Sequence, residues 1–213
     1  MVRCLVLAAA LIVCSCGLYG QSIEFESGGL KFQTLSKEGV TVMFARLPAQ
    51  LRNYEILQLM VSNGSGSAVT VKPDDIVFRR QDGTAVWAAP ARLVINKLLE
   101  SASRNDVIRL TTAYEASLFG IPRVRSTNGY EQRRQSFLAE MGSNKLHAAA
   151  AASAIAFVTT RLASGETTDG AVFFPTVGKP LGAGKLTVRA ANNTFEFETD
   201  PEATTKPLRR RPE

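Results

Sequence analysis

The sequence predicts a mainly β fold, a two-sheet β-sandwich with an α-helical insertion between two of its strands. Three observations carry this. Apolar and polar residues alternate over many short stretches on both sides of the chain's middle. Gly, Asn, Asp and Pro punctuate those stretches at roughly 8–12 residue spacing, the pattern of a sandwich or barrel. Between about 91 and 155 the apolar period shifts from two to three and four, which belongs to helices. The expected organisation is a signal peptide over 1–20, one sandwich domain over 21–199 with the insertion at about 91–155, and a basic tail over 200–213.

The first segment reads as an export signal. Arg3 is the only charge before Glu24, Cys4 to Val13 form an apolar run, and small or polar residues follow from Ser15 to Ser22. A short cationic start, an apolar stretch of about 7–15 residues and a small-residue region define a secretory signal. The apolar run is shorter than the roughly 20 residues of a spanning helix. All three cysteines, Cys4, Cys14 and Cys16, lie inside this segment. Val13-Cys14-Ser15-Cys16 resembles a bacterial lipoprotein box, and that resemblance implies a lipid on Cys16 and attachment to a membrane. Ordinary cleavage after Gly17 or Gly20 is the alternative, and it discards every cysteine. The expected location is the periplasm or outer membrane, or outside the cell.

Strand signals begin at once. Ile23 and Phe25 alternate with Glu24 and Glu26, and Gly28-Gly29 supplies a tight turn before Leu30, Phe32 and Thr34 resume the alternation. Lys37-Glu38-Gly39 turns the chain into Val40, Val42 and Phe44. Leu57, Leu59 and Val61 alternate again and end at Asn63-Gly64-Ser65-Gly66-Ser67, which is loop chemistry. Val69 and Val71, a Pro73-Asp74-Asp75 turn, Ile76 to Phe78 and the Gln81-Asp82-Gly83 turn complete the first β region.

The middle region is helical. Leu93, Val94, Lys97 and Leu98 fall on helical spacing. Asn105 or Asp106 is expected to cap a helix start, and Val107, Leu110, Tyr114 and Leu118 then form one apolar stripe. Gly120 followed by Pro122 is a stop, a further helix is expected from about Tyr130 to Met141, and Gly142-Ser143-Asn144 interrupts it. The stretch from Leu146 to about Ala156 contains five consecutive alanines, with high helix propensity and little bulk, so a neighbouring element can approach closely.

Beyond it the β pattern returns. Ala156 to Leu162 leads towards a strand, Ser164-Gly165-Glu166 turns, and Ala171 to Phe174 is apolar up to Pro175. Leu186, Val188 and Ala190 alternate with polar residues, Asn192-Asn193 is expected to turn a hairpin, and Phe195 and Phe197 follow. From Asp200 the chain is basic and nearly without apolar residues, the composition of a disordered tail.

Two of these segments resemble the immunoglobulin-like, telokin-like domains of bacterial exported proteins and lipoproteins. The first is Val61-Ser62-Asn63-Gly64-Ser65 with Val69, Val71, Asp74 to Phe78 and Asp82-Gly83. The second is Leu162 to Glu166 with Asp169-Gly170-Ala171-Val172-Phe173-Phe174-Pro175. The resemblance implies an immunoglobulin-like β-sandwich in the cell envelope with a role in binding or assembly, and no catalytic residue. About 65 helical residues between the two segments depart from that pattern.

Chemistry is sparse. One histidine, His147, and no cysteine beyond Cys16 exclude a His/Cys zinc site. No Gly-x-Ser-x-Gly elbow supports a triad built on His147. The Gly/Ser-rich 63–67 loop lacks a phosphate-loop lysine. Asp74-Asp75 lacks the alternating oxygen ligands of a calcium loop. Glu100, Glu115, Glu131 and Glu140 could pair as hydrolytic carboxylates, but at helical spacing they read as a solvated face. Arg123, Arg125, Arg133 and Arg134 surround a Ser-Thr-Asn-Gly loop with only Glu131 opposing them, a possible contact for an anionic partner. The net charge is +6, a weak argument for anionic partners, and no aromatic-basic platform suggests nucleic acid.

The expectation is therefore a non-enzymatic envelope protein without a cofactor, binding a protein partner or ligand through the sandwich or its insertion. A carboxylate-dependent hydrolase and a purely structural envelope subunit are the alternatives. Any exported form beginning at Cys16 or later can hold no intramolecular disulfide. Its thermal unfolding midpoint should be the same with and without reductant, and a fall of several degrees on reduction would show that Cys4 and Cys14 are retained and bridged.

Overall fold

The computed structural model describes residues 22–110, 112 and 143–199. The described residues are mainly β, with eleven strands in three antiparallel sheets and a few helices. Strands β1 (Ile23–Ser27), β2 (Leu30–Lys37), β3 (Val40–Leu51), β4 (Tyr54–Asn63) and β9 (Thr167–Pro175) form a five-stranded sheet in the order β1-β2-β3-β4-β9. Strands β6 (Ile76–Arg80), β7 (Ala85–Trp87), β10 (Gly184–Ala190) and β11 (Asn193–Thr199) form a second sheet in the order β11-β10-β6-β7. The short β5 (Val69–Val71) and β8 (Thr160–Leu162) pair with each other. Helices α1 (Ala91–Ser101) and α2 (Asn144–Ile155) lie between β7 and β8 in the chain, and residues 104–110 are also helical.

The turns follow from backbone preference. Gly28 and Gly29 both take positive φ, 58° and 78°, as do Glu38 and Gly39 at 48° and 79°. Two consecutive left-handed residues suit the twist of a two-residue hairpin. The β10–β11 hairpin differs from expectation by one residue. Ala191 and Asn192 hold the left-handed positions, with φ of 51° and 61°, while Asn193 pairs with Ala190 as the first residue of β11. In that place the Asn193 amide donates to Glu38 Oε2 at 2.9 Å and joins this hairpin to the β2–β3 turn.

Side chains of the five-stranded sheet divide between two cores. Val42 and Phe44 of β3, Leu57, Leu59 and Val61 of β4, and Val172 and Phe174 of β9 meet Phe78, Val188, Phe195 and Phe197 of the second sheet. Phe44 packs edge-on against Phe197, and Phe78 against Phe174. The alternate residues Ala45, Leu47, Ile56, Ala171 and Phe173 face the other way, onto α1 and α2. The sheet is thus the middle of three layers. Residues 56–61 of β4 are all buried, where the sequence showed only the alternating Leu57, Leu59 and Val61.

The helices that cover this face are closely packed. Val94 and Leu98 of α1 and five alanines of α2 (Ala148, Ala149, Ala151, Ala152, Ala154) are buried. Small side chains let α2 approach both α1 and the sheet. Ser143 caps α2, its hydroxyl accepting from the Leu146 amide at 3.5 Å. At the 104–110 helix the cap is Ser103, correcting Asn105 or Asp106. The Ser103 hydroxyl accepts weakly from the Asp106 amide at 3.4 Å, and the Asp106 carboxylate accepts from the Ser103 amide at 2.8 Å. This is a reciprocal capping box, which places Asp106 inside the helix. Tyr114, Leu118, Gly120, Pro122 and the expected helix from Tyr130 to Met141 lie outside the described residues.

The chain leaving α2 crosses directly over β9. Ala156 bridges Ala171, and the Phe157 amide donates to the Ala171 carbonyl at 2.8 Å. Gly170 permits the crossing, because a Cβ there would stand 2.7 Å from the Phe157 Cα and amide nitrogen. Both obstructing atoms are backbone and cannot rotate away. Gly170→Ala should therefore cost about 2 kcal/mol or more, read as a lower urea midpoint. Gly66→Ala, with open space around its Cβ position, should change the midpoint little.

Candidate binding surfaces

The two segments that carry the family resemblance meet at Asn63, whose side chain is fully buried. Its amide nitrogen donates to the carbonyls of Ser67 (2.8 Å), Leu162 (3.1 Å) and Ala163 (3.1 Å). Its amide oxygen accepts from the Ser65 amide (3.0 Å) and hydroxyl (2.6 Å). Its backbone exchanges bonds with Glu166 and Gly165. Every polar atom of this side chain is satisfied within the protein, so Asn63 ties the 63–67 loop to the 162–166 turn and offers nothing to a ligand.

A second polar node closes another part of the sandwich. The Arg46 guanidinium donates to Glu55 Oε2 at 3.3 Å, to Thr199 Oγ1 at 3.1 Å and to the Gly182 carbonyl, and lies 5.3 Å from the Phe78 ring centre. Glu55 Oε1 accepts from the Leu181 amide at 2.8 Å. Arg46 therefore holds β3 and β4 against the 181–184 segment and the end of β11.

At the start of the insertion, Arg52 in the β3–β4 turn reaches across to α1 and the helix after it. It donates to Asp106 Oδ2 (3.1 Å), to the Ser101 hydroxyl (2.7 Å) and to the Ser101 carbonyl. Burial pushes the Asp106 carboxyl up, but the Ser103 amide and hydroxyl and the Arg52 guanidinium outweigh it and hold the group below the ordinary carboxylate range. Arg52 and Asp106 form a structural clamp.

One open surface is the outward face of the second sheet. Its outward residues form rows across the strands. Trp87, Val77, Thr187 and Glu196 are successive neighbours in one row, and Ala85, Arg79, Lys185 and Glu198 in the next. Trp87, the chain's single tryptophan, is 56% exposed at the β7 end. Lys185 is neutralised by Glu196 and Glu198, each at 3.3 Å, and those carboxylates raise its pKa. Arg79 bonds only to the Gly83 carbonyl among the described residues. The row end at β7 is therefore aromatic and cationic, while the β11 end is acidic.

A groove of about 510 Å³ opens beside this sheet, between β5 with the following 3-10 turn (Pro73–Asp75) and the β10–β11 hairpin. Lys72, Asp75 and Arg189 line it with Thr70, Asn192 and Thr194. Among the described residues the side chains of Lys72 and Arg189 have no hydrogen-bond or ion-pair partner. The sequence reading touched Asp75 only as half of an Asp-Asp turn. Neither Trp87 nor the groove was singled out. Trp87 could have been found from its outward place in the alternation Ala85-Val86-Trp87. The groove joins residues more than a hundred positions apart, and no local pattern marks it.

Cys16, Arg123, Arg125, Arg133 and Arg134 lie outside the described residues, as do Glu115, Glu131, Glu140, the 1–20 segment and the 200–213 tail. Glu100 is exposed on α1 and His147 is half-buried on the first turn of α2. Among the described residues no three His, Cys, Asp or Glu side chains are grouped to hold a metal ion, and no helix is long and apolar enough to cross a membrane.

Comparison with protein-family models and with curated proteins gave no match. Among solved structures, the yjhA protein from Bacillus subtilis is similar over 78% of this chain and 76% of its own, at 10% identity and a TM-score of 0.31. That likeness carries no argument.

The Arg52–Asp106 clamp has a pH signature. A carboxyl with a lowered native pKa contributes stability that is present above its unfolded pKa, near 4, and lost as pH falls through the native value. Asp106→Asn should lower stability at pH 7 by about 2 kcal/mol. The gap to the natural protein should narrow steadily below about pH 4 in denaturant titrations. A gap independent of pH would assign the loss to packing.

Proposed function

We propose that this is a non-enzymatic binding protein of the cell envelope, an immunoglobulin-like sandwich that docks a protein partner on the outer face of its second sheet. Strand pairing supports the immunoglobulin-like reading. In that fold the second and fifth strands share one sheet, while the third, sixth and seventh form the other. With β3 as the first strand, β4 and β9 pair as second and fifth, and β6, β10 and β11 as third, sixth and seventh. β7 then continues the second sheet beyond β6, and the helices stand in the chain between β7 and β9, where that fold has its fourth strand.

Trp87 is the observation that carries the docking surface. A tryptophan left 56% exposed on the same face as Arg79 matches two of the residue types enriched at protein interfaces. Export, and a lipid on Cys16 if the lipoprotein form is the one made, place that partner in the envelope.

Trp87 also reports on itself, since no other tryptophan contributes emission. The free protein should emit as an exposed indole, quenched efficiently by iodide. Adding the solubilised envelope fraction should shift the emission to the blue and protect it from iodide. A photocrosslinker in place of Val77 should capture a discrete protein partner. The same group in place of Arg92 on α1 should not, and Trp87→Ala should reduce capture from position 77 at least 10-fold. Equal capture from both positions, or no effect of Trp87→Ala, would sink the reading. Capture of a second copy of this chain would replace the envelope partner by self-association.

A further inference from the structure

We infer that the groove between β5 and the β10–β11 hairpin is a binding site for a sugar acid, a polyhydroxylated ligand carrying a single carboxylate. Three properties of the groove lead there. Its volume, about 510 Å³, lies within the range of small-molecule sites. Its two cations, Lys72 and Arg189, have no hydrogen-bond or ion-pair partner among the described residues, and both are exposed. Its other polar lining comes from Thr70, Asn192, Thr194 and the Asp75 carboxylate, beside small apolar residues such as Ala68 and Ala190.

Asp75 decides which anion fits. It lies in the 3-10 turn just before Ile76, which pairs with Val188, and lines the same groove as Arg189. Its negative charge leaves the groove with a net charge of +1, which disfavours a polyanion such as a nucleotide triphosphate. A carboxylate accepts hydrogen bonds and donates none, so Asp75 calls for a ligand with hydroxyl donors. The Arg189 guanidinium matches the planar geometry of a carboxylate, and the Lys72 ammonium donates to either a carboxylate or a ring hydroxyl. Hydroxyls of Thr70 and Thr194 and the Asn192 amide both donate and accept, which suits a ring bearing several hydroxyl groups. One acid and several hydroxyls on a compact ring is the chemistry of a uronic acid.

This site is independent of the Trp87 surface. Strand and residue spacings put the Trp87 and Arg189 Cα atoms about 12 Å apart, beyond the reach of a single sugar ring. The test uses the exported chain, labelled with nitrogen-15 and titrated with D-galacturonate. D-galactose and acetate serve as the neutral and the hydroxyl-free arms. Galacturonate should shift the amide signals of Thr70, Lys72, Arg189, Asn192 and Thr194 with a dissociation constant on the order of 1 mM. Galactose and acetate should each bind at least 10-fold more weakly, and the Lys72→Ala/Arg189→Ala pair should lose at least 10-fold in galacturonate affinity while keeping its spectrum elsewhere. Trp87 emission should not change. No shift at tens of millimolar galacturonate would overturn the proposal. So would equal binding of galactose, which would make the cations irrelevant, or equal binding of acetate, which would reduce the groove to an adventitious anion site.

Discussion

The described part of this molecule is arranged around a sheet whose central strand has no wet face. The centre strand β4 is buried on both sides over residues 56–61. A sheet in that position cannot be stable until both covering layers are in place. One layer is the second sheet, which meets it through phenylalanine and branched aliphatic side chains. The other is helical and meets it largely through alanine. The difference in side-chain size is a consequence of geometry. Sheets facing each other stand about 10 Å apart and leave room for large residues, whereas α2 must fit beside α1 over the same sheet. Burial on the helical side also constrains polar groups. Gln58, in the middle of β4, is 2% exposed, and its amide donates to Asp169 on β9 at 3.2 Å, as a buried amide must to avoid a desolvation cost of about 1–3 kcal/mol.

Two polar nodes then fix how the layers are closed. Asn63 binds carbonyls about a hundred residues downstream, so its loop and the 162–166 turn set each other's conformation. Arg46 and Glu55 do the same for β3, β4 and the segment before β10. Breaking one member of such a node leaves its partners buried and unsatisfied, which costs more than the node adds when intact. These contacts are long-range in sequence, as are the pairings β4 with β9 and β6 with β10. Non-local pairing of this kind requires loop closure before any contact forms, a feature of slowly folding β proteins.

What could be read from the sequence follows the same division. Strands bordered by a single core announce themselves by alternation, as with Leu186, Val188 and Ala190 or Phe195 and Phe197. Turns requiring positive φ show as Gly28-Gly29 or Glu38-Gly39. The alanine run showed its helix and its capacity for close approach. The double burial of β4 was not legible, because Gln58 in a strand reads as an outward residue unless its partner Asp169 is known. Asn63 looked like ordinary loop chemistry for the same reason, since its partners belong to another part of the chain. The cap at Ser103 was missed because the acid at Asp106 mimics a cap, and the two differ only in which backbone amide each one reaches. The arginine group at 123–134, the most conspicuous charge feature of the sequence, lies outside the described residues.

The three-layer arrangement also narrows where binding can occur. In a two-layer sandwich each sheet keeps one outer face free. Here α1 and α2 cover the outer face of the five-stranded sheet around β4 and β9, through Val94, Leu98 and the alanines of α2. Among the described residues the open sheet face is that of β7-β6-β10-β11, and its outward rows differ in character from one edge to the other. Towards β11, Lys185 is paired with both Glu196 and Glu198, which leaves that edge acidic. At β7 no carboxylate balances Arg79 in this way, and Trp87 is left exposed beside it. At the β10–β11 hairpin, Lys72 and Arg189 share a groove with Asp75 and have no ion-pair partner among the described residues. A surface that is acidic at one edge and carries cations and an exposed indole elsewhere has a polarity that packing within this domain does not require, and both proposed binding surfaces rest on that asymmetry.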